Sequence, residues 1–137
     1  MGSWGYGPFD NDDGADLVCD LQGGEGLALL RSVLEDVVAV PADAYLEAHL
    51  GLRAYASSAV LAGCIDRSQP FLDDRVTAWI DRVGLDPTST DIELAAAAMR
   101  RILGANSELP SLFEGAGAPG GIAAIDQVAA AIRAGAR

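Results

Sequence analysis

Five aspartates, Asp10, Asp12, Asp13, Asp16 and Asp20, stand close together near the start of the chain with no basic residue among them. On a helix, Asp13, Asp16 and Asp20 share one face, and clustered carboxylates are the ligands that Mg²⁺ and Ca²⁺ take. The calcium-loop template fails here. With Gly14 as its sixth residue, Phe9 would stand at the first ligand and Asp20 at the bidentate Glu. Helix capping and a solvated face account for these acids, and no metal is expected. His49 is the only histidine, so neither a two-histidine zinc site nor a Ser-His-Asp set with a spare base can be built. It lies one helical turn from Tyr45 and Arg53, as a hydrogen-bonded structural histidine would. Gly5-Tyr6-Gly7 lacks the spacing, preceding strand and lysine of a phosphate loop. Ser57-Ser58 has no nucleophile elbow, and Cys19 and Cys64 are too far apart for a redox CxxC pair. The cysteines read as reduced, buried thiols. No catalytic residue and no cofactor is expected.

The elements that must position these residues are helices. Residues 1–13 are irregular: glycines alternate with Trp4, Tyr6 and Phe9, so the segment can follow a groove while its rings enter the body. Trp4 and Phe9 are expected to be buried. Asp10 or Asn11 ends the segment, and a short helix capped by Asn11 or Asp12 runs to about Leu21. Leu27, Leu30, Leu34 and Val37 mark an amphipathic helix stopped by Pro41, which can itself open the next one. From Asp43 to Cys64 apolar and small residues occupy every face, including Tyr45, Leu46, Leu50, Leu52, Ala54 and Leu61, which marks a buried central helix. Asp73 and Asp74 lead a helix with Val76, Trp79, Ile80 and Val83 inward and Gly84 as its stop. Thr90-Asp91-Ile92-Glu93 matches a capping box, and its helix ends with Arg100, Arg101 and Gly104. A short helix with Ser107 as its cap follows. Residues 115–121 form a Gly-rich loop before a last helix with Ile122, Ile125, Val128, Ala129 and Ile132 on one face. No run alternates long enough for a strand. The expectation is one all-α domain over residues 1–137, a compact bundle of six or seven helices around a central Ala-rich helix.

Charge narrows the function. The net charge is −11, and all nine basic residues are arginine. Nucleic-acid affinity comes largely from neutralised phosphates, and this surface would repel them, as it would anionic lipid. A basic protein partner would be attracted. The first ten residues lack the basic and apolar regions of a signal peptide, and no apolar run reaches the ~18 residues of a membrane span. A cytoplasmic protein is expected.

Trp4-Gly5-Tyr6-Gly7-Pro8-Phe9-Asp10-Asn11-Asp12-Asp13, followed by Ala15-Asp16, is the most distinctive stretch. It closely resembles the start of a bacterial family known as domain of unknown function 4259. A second match lies at Asn106-Ser107-Glu108-Leu109 with Leu112-Phe113-Glu114, where family sequences usually carry Trp in place of Phe113. Some relatives carry a Glu near Ala59, which is missing here. The intervening helices match in spacing, so the resemblance covers essentially the whole chain, and it implies no activity. The leading expectation is a small non-enzymatic module that binds a basic protein in an immunity or other regulatory setting. Its candidate contact residues are Trp4, Tyr6, Asp10, Asp12, Asp13 and Asp16. The alternatives are an enzyme or accessory subunit working through the acidic cluster or His49, and a structural interaction domain of a larger assembly.

Overall fold

The computed structural model describes residues 6–23, 26–115 and 119–136. Over them the chain forms α1 (Asp12–Gln22), α2 (Leu27–Val38), α3 (Ala48–Ile65), α4 (Asp74–Val83), α5 (Ser89–Leu103), α6 (Glu108–Gly115) and α7 (Pro119–Gly135). Among the described residues there is no strand, and one isolated bridge joins Leu46 to Ser107. The all-α expectation holds. Trp4 lies outside the described residues.

α3 is the axis of the fold. Twelve of its 18 residues are buried, and it touches all six other helices. A helix that is apolar on every side needs neighbours on every side, and its run of alanines lets them approach. It begins at Ala48, later than the Asp43 expected from pattern. The reason is a competing long-range pairing. Leu46 N–H donates to the Asn106 carbonyl at 2.8 Å, Glu108 N–H donates to the Leu46 carbonyl at 2.9 Å, and Ala48 N–H donates to Glu108 Oε1 at 2.8 Å. Residues 43–47 are therefore held as a loop with Tyr45 exposed, and Pro41 closes a turn with Ala44 instead of opening a helix. The expected Ser107 cap does not form. The buried Ser107 hydroxyl has no partner, and Pro110, the third residue of α6, has no N–H for a cap to accept.

Two basic and amide groups complete that junction. Arg101, in the last turn of α5, donates to the carbonyls of Val40, Pro41, Ala44, Ala105 and Asn106. Asn106, in the left-handed region at φ 58°, donates through Nδ2 to the Ala42 carbonyl at 3.0 Å. Asparagine is among the few side chains that tolerate this backbone.

The remaining ends follow local rules with three corrections. Asn11 caps α1 by accepting the Gly14 N–H at 2.7 Å, and Asp73 caps α4 by accepting the Val76 N–H at 3.0 Å. Gly84 closes α4 at φ 70°. Val83, expected inward, is 48% exposed, because α4 leans chiefly on α3 and its last residue lies uncovered. The capping box at α5 uses Thr88 and Asp91 rather than Thr90 and Glu93, because Asp91 is drawn into a further contact with Arg31. α6 reaches Gly115 and α7 starts at Pro119, so residues 115 and 119–121 of the expected loop are helical, and residues 116–118 lie outside the described residues.

Candidate functional site

The N-terminal motif is fastened to the helices by its own backbone. Asp10 accepts the Gly7 N–H through Oδ2 at 3.1 Å and returns its own N–H to the Gly7 carbonyl at 3.2 Å, closing a turn. Phe9 is buried, as expected. The Tyr55 hydroxyl, from the middle of α3, donates to the Tyr6 carbonyl at 2.9 Å. The Tyr6 ring meets Phe113 of α6 edge-on, 5.5 Å between centroids, and remains 40% exposed. Gly14 makes the fit possible: a Cβ there would stand 2.3 Å from the Pro8 carbonyl oxygen.

This turn forms one wall of a cleft of about 370 Å³. Residues 70–73, between α3 and α4, form the second wall, and Ala124 and Gln127 of α7 form the third. Pro8, Phe9, Pro70 and Phe71 line it together with Asp10 and Asp73. Burial, with the nearby Asp10 charge adding to it, pushes the Tyr55 phenol well above the usual tyrosine range, so it is neutral and serves as a hydrogen-bond donor to Tyr6.

The acids of α1 have a different setting. Asp12, Asp16 and Asp20 are exposed, and among the described residues none is within ion-pair distance of an arginine. Asp13 is partly covered, 3.7 Å from Nδ1 of an exposed His49. Among the described residues, no three His, Cys, Asp or Glu side chains converge as metal ligands would. Cys19, expected buried, is exposed, because it stands on the outer side of α1, one residue before Asp20. Cys64 is half-buried, and burial pushes its thiol up to about 11, with Arg67 opposing and Asp86 adding to the rise. It is a protonated, unreactive thiol at neutral pH.

A family model described as Domain of unknown function (DUF4259) matches residues 2–118. The chain belongs to this family. No curated protein and no solved structure matches it. Within the DUF4259 match, the N-terminal motif divides its labour. Phe9, Asn11 and Gly14 serve the fold, while Tyr6, Asp12 and Asp16 present exposed atoms. Asp10 faces the cleft, so it does not join Asp12 and Asp16 in one patch. The cleft's other walls went unread in the sequence. Phe71, a large apolar residue between Pro70 and the capping Asp73, was the available signal.

Proposed function

We propose that this DUF4259 chain is a cytoplasmic, non-enzymatic binding module that recognises a basic protein, in an immunity or regulatory role. One observation carries the reading: Asp12, Asp16 and Asp20 form an exposed row along α1 at four-residue spacing, about 12 Å long. Like charges at that spacing weaken a helix, and Asp20 also sits in the last turn, where the helix dipole disfavours an anion. No arginine relieves the row among the described residues. A cationic partner would. The two unpaired thiols suit a reducing compartment.

The test begins with the chain as bait in its native host and continues with association kinetics of the partner recovered. A basic partner should associate many-fold more slowly as salt rises, because screening shortens the reach of exposed charges to about 10 Å at 0.1 M. Replacing Asp12, Asp16 and Asp20 together by Asn should slow association at low salt and leave dissociation little changed. Association indifferent to salt would defeat the proposal.

A further inference from the structure

We infer that the groove where α2 and α5 end binds a small aliphatic monocarboxylate, with Arg100 taking the carboxylate. This site is independent of the acid row on α1 and goes beyond the binding-module reading.

In a chain of net charge −11, this groove of about 490 Å³ is lined by two arginines and no acid. Glu35, Asp36 and Glu93, on the same two helices, and Asp43 in the loop after α2 stay outside its lining. Arg101 makes five hydrogen bonds, all to backbone carbonyls, so its charge is fixed in place with no carboxylate to cancel it. The Arg100 guanidinium is exposed, and among the described residues it makes no hydrogen bond or ion pair. Against these two positive charges, the ends of α2 and α5 supply about half a negative charge each, which leaves about one positive charge for an anion to answer.

Hydrogen bonding has the same sign. The carbonyls of Val40, Pro41 and Ala105 accept from Arg101, and that of Ala42 accepts from Asn106. The N–H groups of Ala42 and Ala105 have no acceptor among the described residues. The carbonyls left over, those of Val38 and Gly104, belong to the two helix ends already counted. The walls are aliphatic: Val38, 43% exposed, stands with Val40, Pro41 and Ala97, and no aromatic ring lines the space. An alkyl chain would cover this surface while its carboxylate meets the planar fork of Arg100. A polyanion would add repulsion from the rest of the chain. A peptide C-terminus would bring amide N–H groups to loop carbonyls that are already engaged, so a free acid fits better. The volume is that of a small-ligand cleft.

The probe is isocaproate, titrated at neutral pH into the isotopically labelled full chain, with isocaproamide, acetate and N-acetyl-leucine alongside. The expected result is saturable shifts at Val40, Ala42, Ala105 and the Arg100 side chain with isocaproate and none with the uncharged amide. Acetate, which lacks the alkyl body, should bind at least about tenfold more weakly, and N-acetyl-leucine should also bind more weakly. Arg100→Gln should weaken isocaproate binding about tenfold, and its melting temperature should match that of the parent chain, because no internal contact is lost. Shifts at the same residues with the amide, undiminished binding by Arg100→Gln, or no saturable shifts would overturn the assignment. Tighter binding of N-acetyl-leucine than of isocaproate would give the groove to a chain terminus and overturn the free acid.

Discussion

The row of acids on α1 and the single acid at the start of α5 treat the same chemical group in opposite ways. Asp91 is 3% exposed, accepts two hydrogen bonds from Arg31, at 2.5 and 2.9 Å, and a third from the Thr88 N–H at 2.8 Å. The Arg31 hydrogen bonds, supported by those from Thr88 and opposed by burial, hold its carboxyl below the usual carboxylate range. Asp12, Asp16 and Asp20 have no such partners among the described residues and face water. The net charge of −11 is thus not one property. Part of it is consumed in joining α2 to α5, and part is left on a surface where only an external cation could use it.

The largest effect tests what lies beneath the α1 row. Phe9→Ala removes a buried ring from under the first helix and should lower unfolding free energy by about 3–5 kcal/mol in denaturant titration. A loss under about 1 kcal/mol would mean that the N-terminal turn is not part of the folded core. Next is Asp91→Ala, which removes the acceptor for the Thr88 N–H from the capping box and leaves a guanidinium without its partner. The Arg31 side chain is 44% exposed and can be rehydrated, so the loss should be about 2 kcal/mol rather than the full cost of a broken buried pair. This contribution has a pH signature. The folded-state pKa of Asp91 lies below its unfolded value of about 3.9, so the stabilisation is fully present above that value and is lost as pH falls through the folded pKa. The stability difference between the parent chain and Asp91→Asn should accordingly hold steady down to about pH 5 and narrow as pH falls below about 4, and a difference that stays flat on acidification below about pH 4 would separate the ion pair from stability. The smallest effect belongs to the exposed row. Asp20→Asn should change unfolding free energy by less than about 0.5 kcal/mol, in the stabilising direction, since it removes an anion from the last turn of α1. A clear destabilisation would show that the row is structural after all.

How far the sequence reveals these features depends on how local each one is. The inward stripes of α2, α5 and α7, the start of α4 at Asp73 and its stop at Gly84 are decided within one or two turns and were legible, and the α1 cap was legible to within the choice of Asn11 or Asp12. The start of α5 was not, because Thr88 with Asp91 and Thr90 with Glu93 are equally good capping pairs by spacing. The choice falls to Arg31, sixty residues away in the chain. The start of α3 failed in the same manner, since Leu46 is claimed by Asn106 and Glu108. In the candidate site, the exposure of Asp12 and Asp16 follows from helical spacing. The cleft does not, because it exists only where residues 7–10, 70–73 and 124–127 meet.

The Arg101 junction has a further consequence. Surface loops are ordinarily the places where a chain can be lengthened, cut or permuted without harm. The loops after α2 and after α5 are exceptions, because one guanidinium and one backbone bridge hold their carbonyls in a single register. An insertion in either would pull the other out of alignment and expose the first N–H groups of both α3 and α6. Two segments distant in the chain thus form one indivisible seam, and sites for fusion or insertion should be sought elsewhere on the molecule.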